Sequence, residues 1–307
     1  MGVCNIDVVR CDRSELWAPS AWVHANRGIL VQSNILNPPK ILIHKIQVTN
    51  AAIALDDVGE GMPVLLLHGF PATRHLWSRV VPLLAQSGYR LLVPDLVGYG
   101  ASEAAGASSI DMASQARWML EMIDALNIPQ VAVVAHDVGS AAAQIMVASA
   151  PRRIRKLVVL DGVHGAEWAM EAIAGIQAWD PKDAHRLFPV LARRLGRSGA
   201  LREMLAAYEG EQGGLRLIRA ARDLDPRQTQ YIGEALRSSG VPALVLWGER
   251  DEFLSIDAVG RPLAALLGAR LAKLPGAHFT PLDCPAEVSA ELHGFLGKTE
   301  GAGAGGS

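Results

Sequence analysis

Cysteine is scarce in this chain. Cys4, Cys11 and Cys284 are its only three, none at a spacing that metal ligands require, and they read as thiols of a reducing compartment. Charge of one sign is also lacking: a formal net charge of −2 gives no electrostatic reason to expect a nucleic acid or an anionic membrane as partner. No apolar run approaches the roughly 18 residues a membrane-spanning helix needs. The N-terminus shows no basic region followed by an apolar core, so a secretory signal is not expected and a cytoplasmic location is. No internal repeat is visible. What remains is ordinary for a globular protein: half of the 307 residues are hydrophobic and a fifth are charged. That length can bury one large core, or one core and a subdomain.

Val131 to Val134 is a run of small and β-branched residues without alternation, the pattern of a strand buried on both faces of a parallel sheet. It leads through Ala135-His136-Asp137-Val138-Gly139 into an alanine-rich stretch of helical composition, Ser140 to Met146. Small residues at 135 and 139 flank a nucleophile-type residue at 137, as a sharp strand-to-helix turn demands. The other reading of Asp137 is a helix N-cap.

Around this stretch strands and helices alternate. Strands are expected at Lys40–Val48, Ala51–Leu55, Val64–His68, Tyr89–Val93 and Arg155–Leu160, with helices over Trp77–Gln86 and Ile110–Leu126. The rhythm implies a mostly parallel sheet with helices on both faces. It breaks at residues 163–239, which read as a helical insertion, and resumes with strands at Val241–Trp247 and Ala269–Leu274 and helices at Ala258–Leu267 and Pro285–Leu296. The expected organisation is an irregular N-terminal extension (1–39), a first part of an α/β core (40–162), a helical cap (163–239), a second part of the core (240–297) and a Gly/Ala-rich flexible tail (298–307).

Four separated signals, each at the end of an expected strand, occur in order: His68-Gly69-Phe70-Pro71, the turn at Asp137, Trp247-Gly248-Glu249-Arg250-Asp251, and Gly276-Ala277-His278-Phe279. Together they make the chain resemble the capped α/β-hydrolases with an aspartate nucleophile, the branch of epoxide hydrolases and dehalogenases, over roughly residues 40 to 297. The resemblance implies that Asp137 attacks a saturated carbon to form an alkyl ester, that His278 activates a water to hydrolyse it, and that Asp251 orients His278. Backbone N–H groups of Phe70 and Val138 would hold the oxyanion. His278 has a plain loop histidine as its other reading and Asp251 a cap or surface charge. Asp161, at the end of the strand after the turn's helix, is the competing acid. His68 and His136 read as structural neighbours of the site. No cofactor or metal site is expected, and the partner would be a small-molecule substrate.

Departures from each subfamily bear on that substrate. Phe70 and Val138 stand where haloalkane dehalogenases carry side-chain halide donors, and Val138 and Ala141 where fluoroacetate dehalogenases carry arginines. Epoxide hydrolases need cap tyrosines to polarise the epoxide oxygen, and the insertion holds Tyr208 and Tyr231, which packing or surface roles would equally explain. Trp168 and Trp179 read as cap packing or pocket lining. The expectation is epoxide opening to a diol. The alternatives are dehalogenation with the same nucleophile, ester or lactone hydrolysis, and a ligand-binding homologue without turnover.

Overall fold

The computed structural model describes residues 6–9, 41–106, 108–195 and 199–297. Among the described residues ten strands form one sheet: β1 (Ile6–Val9), β2 (Ile41–Val48), β3 (Ala51–Gly59), β4 (Met62–Leu67), β5 (Tyr89–Pro94), β6 (Glu103–Ala104), β7 (Val131–His136), β8 (Ile154–Leu160), β9 (Ala243–Gly248) and β10 (Arg270–Leu274). The spatial order is β1-β2-β3-β5-β4-β7-β8-β9-β10, with β6 paired to β3. Pairing is antiparallel from β1 through β3 to β5, then parallel from β5 to β10. This is an α/β-hydrolase fold with a mostly parallel sheet.

The central strands are apolar because helices cover both faces. Val131, Val133 and Val134 are fully buried, each worth about 1.5–3 kcal/mol relative to exposure. The helix Gly139–Ser149 lies close against the sheet because Ala141, Ala142 and Ala143 present almost no bulk. Chain order reverses between β4, which continues to β5 on one side, and β7 on the other. Such a switch point opens a crevice at the C-terminal strand ends, where open α/β sheets bind ligands.

Between β8 and β9 the described residues form helices, among them Met170–Gln177, Leu187–Leu195, Gly199–Leu205 and Gly210–Arg222, and their one β-type pairing is an isolated His164–Glu167 bridge. The insertion is bonded to the core: Ile110 N donates to Asp223 Oδ2 (2.7 Å) and Met112 N to Gln228 Oε1 (2.6 Å). No helix among the described residues is long and apolar enough to cross a membrane.

Two expectations need amendment. Ile6–Val9, placed in an irregular extension, forms an edge strand in register with Ile46 to Ile43; residues 10–40 and the tail from 298 lie outside the described residues. The helix expected over Trp77–Gln86 is split into a 3₁₀ turn, Arg74–Trp77, and a short helix, Val81–Leu84. Pro82 has no N–H to return to the preceding turn, so the helix restarts around it.

Candidate active site

Asp137 follows β7 with φ of +50°, a left-handed conformation that strains a non-glycine residue. The turn is held by Asp137 N donating to Leu160 O (3.2 Å) and by Ser140 N donating to Asp137 O (2.9 Å). Two glycines make room for it. A Cβ on Gly139 would sit 2.2 Å from His68 O, and one on Gly69 would sit 2.4 Å from Asp137 Cβ and 2.5 Å from its Oδ2. The carboxylate is thereby seated on the loop after β4, where Phe70 N donates to Asp137 Oδ2 at 2.8 Å. Burial raises the Asp137 carboxyl above the usual range, opposed by the His278 charge and by the N–H groups of Phe70 and Val138.

His278, on the loop after β10, is 4% exposed. Its Nδ1 donates to Asp251 Oδ2 at 2.9 Å, and its Nε2 stands 3.9 Å from Asp137 Oδ1, beyond hydrogen-bond reach. Asp251 is fixed from behind, its Oδ1 accepting from the N–H groups of Phe253 (2.8 Å) and Leu254 (3.0 Å). Burial alone would lower the His278 pKa, but the Asp251 hydrogen bond and the charges of Asp251, Asp137 and Asp161 outweigh it and raise it to about 9. The rings of Phe253 and Phe279 pack edge-on at 5.2 Å and 5.1 Å.

The structure thus brings Asp137, Asp251, His278, Phe70 and Val138 together at one sheet edge. It separates the two candidate acids. Asp161 makes no hydrogen bond to His278; its Oδ1 accepts from Gly248 N (2.6 Å) and its Oδ2 from Thr280 Oγ1 (2.5 Å), tying together the loops that carry Asp251 and His278. Completely buried, its carboxyl is pushed up to about 8, burial being the main cause.

The two histidines beside the site are structural. His136 Nε2 donates to His278 O (2.8 Å), and burial followed by the His278 charge keeps the His136 ring neutral. His68 donates from Nδ1 to Gly69 O and accepts at Nε2 from Leu96 N, both at 2.9 Å.

The four aromatic residues singled out in the insertion lie in different surroundings. Tyr208 is fully buried, but its hydroxyl donates to Ala72 O at 2.8 Å. Tyr231 is 83% exposed. The indole N–H of Trp168 donates to Thr229 Oγ1 (3.1 Å). Trp179 lines a surface recess of about 640 Å³ with Asp183, His185 and Arg193, away from Asp137 and His278. Sequence reasoning passed over Tyr99, which sits in the glycine loop Leu96–Ser102, fully buried, with a hydroxyl that has no partner. Among the described residues no group of three or more His, Cys, Asp or Glu side chains is arranged to hold a metal ion.

The comparisons agree with this architecture. The family described as alpha/beta hydrolase fold matches residues 62–196. The fold is that of the α/β-hydrolases, and the relatives the chain resembles are enzymes. It is similar to a haloalkane dehalogenase of Mesorhizobium japonicum, 26% identical over 299 residues that cover 86% of this chain and 96% of that protein. It is also similar to a 2-hydroxy-6-oxononadienedioate/2-hydroxy-6-oxononatrienedioate hydrolase of Klebsiella pneumoniae, 28% identical over 71% of this chain and 81% of the relative. A solved structure from Pseudomonas aeruginosa, proposed to be an epoxide hydrolase, superposes with a TM-score of 0.69 at 24% identity, covering 89% of this chain and 98% of that one.

Proposed function

We propose that the protein hydrolyses a small organic substrate through an alkyl ester on Asp137, and that the substrate class is an epoxide, opened to a diol. The observation that carries the reading is the spacing around Asp137. One carboxylate oxygen rests on the Phe70 N–H, and the other faces His278 Nε2 across 3.9 Å, too far for a bond between them. A serine in that place would need the histidine to remove its proton; a carboxylate arrives ionised and leaves the histidine free for water.

The electrostatics order the two steps. In the free enzyme the Asp251 hydrogen bond, followed by the charges of Asp251 and Asp137, holds His278 protonated, with a pKa of about 9, and its charge in turn favours ionised Asp137 against burial. Alkylation makes Asp137 a neutral ester and removes one of the charges holding the His278 proton. Alkylation therefore weakens the hold on the His278 proton at the stage where a base is wanted. Water then attacks the ester carbonyl, His278 takes a proton, Asp251 steadies the imidazolium, and the N–H groups of Phe70 and Val138 receive the oxyanion. The helical insertion serves as the cap that excludes bulk water from this space.

Phe70, Val138 and Ala141 offer no side-chain N–H or guanidinium, which weighs against a halide or small haloacid leaving at this site. The haloalkane dehalogenase relative, aligned over nearly its whole length, keeps halide release as the second reading. His278→Gln tests the common step: with an accepted substrate, peptide mass spectrometry should find a stable adduct on Asp137. An adduct on another residue, or none with a substrate the wild type turns over, removes Asp137 as nucleophile. A parallel screen of epoxides, haloalkanes and haloacids for diol, alcohol and halide release decides the substrate class.

A further inference from the structure

A carboxylate that opens a neutral epoxide leaves an alkoxide, and an alkoxide is a poor leaving group unless an acid donates to it. The aromatic donors of the insertion are spent or misplaced. The Tyr208 hydroxyl goes to Ala72 O, the Trp168 indole to Thr229 and the Trp179 indole to Asp183 O, while Tyr231 stands in solvent. One tyrosine combines zero exposure with an unspent hydroxyl, and it comes from the core.

Tyr99 lies on the loop after β5, pinned by its N–H donating to Leu96 O (2.9 Å) and its carbonyl accepting from Ser102 N (3.0 Å). Its ring meets His68 edge-on at 5.4 Å and Phe70 at 6.4 Å, on either side of the glycine that makes room for Asp137. Burial and then the charges of Asp137 and Asp223 raise its pKa, so the phenol stays protonated and is a donor, not a base. A buried hydroxyl without a partner is a cost that folding alone gives no reason to keep.

We infer that Tyr99 donates to the leaving atom of the substrate while Asp137 attacks carbon. The inference rests on the alkyl-ester reading. As the bond from Asp137 oxygen to carbon forms, the ring C–O bond breaks, its electron pair stays on the ring oxygen, and that oxygen takes the Tyr99 proton. In the hydrolytic step water supplies its oxygen to the Asp137 carboxyl carbon. Of its two hydrogens, one ends on the hydroxyl released from the ester and the other, relayed by His278, restores Tyr99. With a halide the same O–H donates a hydrogen bond and keeps its proton.

The experiment measures Asp137 alkylation by rapid-quench mass spectrometry in full-length His278→Gln protein, with and without Tyr99→Phe, using styrene oxide and 2-phenylethyl bromide. Loss of one donor at a developing oxyanion should slow labelling by the epoxide on the order of 10²-fold. Labelling by the bromide should slow far less, because bromide leaves without a proton. Thermal melting should show Tyr99→Phe at least as stable as its parent, since the substitution removes only an unpaired hydroxyl. Epoxide labelling at the parental rate, or equal slowing with both reagents, overturns the role of Tyr99 and leaves the ester reading standing. Absence of any Asp137 adduct in the parent with a reagent that the wild type turns over overturns the ester reading, and the Tyr99 inference with it.

Discussion

Asp251→Asn should disable ester hydrolysis while leaving ester formation intact, for a reason visible in the hydrogen bonds. Asp251 Oδ1 accepts from the N–H groups of both Phe253 and Leu254, so the amide oxygen of an asparagine must occupy that place. Its NH₂ then faces His278 Nδ1, where the carboxylate oxygen had been at 2.9 Å. Two donors cannot face each other, so the imidazole shifts its proton to Nε2 and presents N–H, not a lone pair, to the water. The comparable loss of tautomer control in a serine triad costs about 10⁴-fold, or about 5.4 kcal/mol of barrier. Asp161→Asn makes the contrasting case. An amide mimics the protonated acid that burial favours there, its oxygen can keep the Gly248 N–H, and the Thr280 hydroxyl can rotate to accept from the NH₂. Its rate should stay within about tenfold of wild type. Single-turnover mass spectrometry separates the steps: Asp251→Asn should form the Asp137 ester at close to the wild-type rate and then stall. If Asp161→Asn stalls and Asp251→Asn does not, the orienting acid is Asp161 and the tautomer argument fails.

Two further outcomes follow from the same geometry. Gly69→Ala should place a methyl 2.5 Å from Asp137 Oδ2 and drive the carboxylate off the Phe70 N–H, lowering Asp137 labelling on the order of 10²-fold or more; wild-type labelling by a folded variant would show that the close approach is dispensable. Stability should decline as pH rises from the unfolded His value of about 6.5 through the folded His278 value of about 9, because a proton bound more tightly in the folded state stabilises it only while it is bound. Asp161 adds in the same direction, its contribution present below about 3.8 and lost through about 8. Thermal melts from about pH 5 to about pH 10 should show the fall, shallower in Asp161→Asn; a melting temperature that rises over that range contradicts both assignments.

Much of this was legible in the sequence because the controlling patterns are local. Val131 to Val134 announces a strand buried on both faces, and the small residues around Asp137 announce the turn. His278, Asp251 and Phe70 each follow a strand in a parallel sheet, and such a sheet brings strand ends to one edge. What the sequence could not display is how a polar atom is spent. Tyr208 reaches a carbonyl 136 residues away, and nothing around Tyr208 or Ala72 signals it. Tyr231 and Tyr99 look alike as letters, yet one is in solvent and the other is sealed against His68 and Phe70. Asp161 ends its strand as a competing acid would, and only its partners across the sheet, Gly248 and Thr280, make it a strut. Ile6–Val9 escaped notice because an edge strand of four residues borrows its order from its neighbour.

The bond from Tyr208 to Ala72 O reaches beyond packing. Ala72 N donates to Gly69 O, so Ala72 closes the same short turn that presents the Phe70 N–H to Asp137. The insertion and the Gly69–Ala72 turn are therefore joined at Ala72. In the proposed mechanism, lifting the insertion to admit substrate or release product would pull on the turn whose Phe70 N–H is to receive the oxyanion. In the proposed mechanism entry and chemistry would then be separate phases, substrate passing while the insertion is lifted and reacting when it is down.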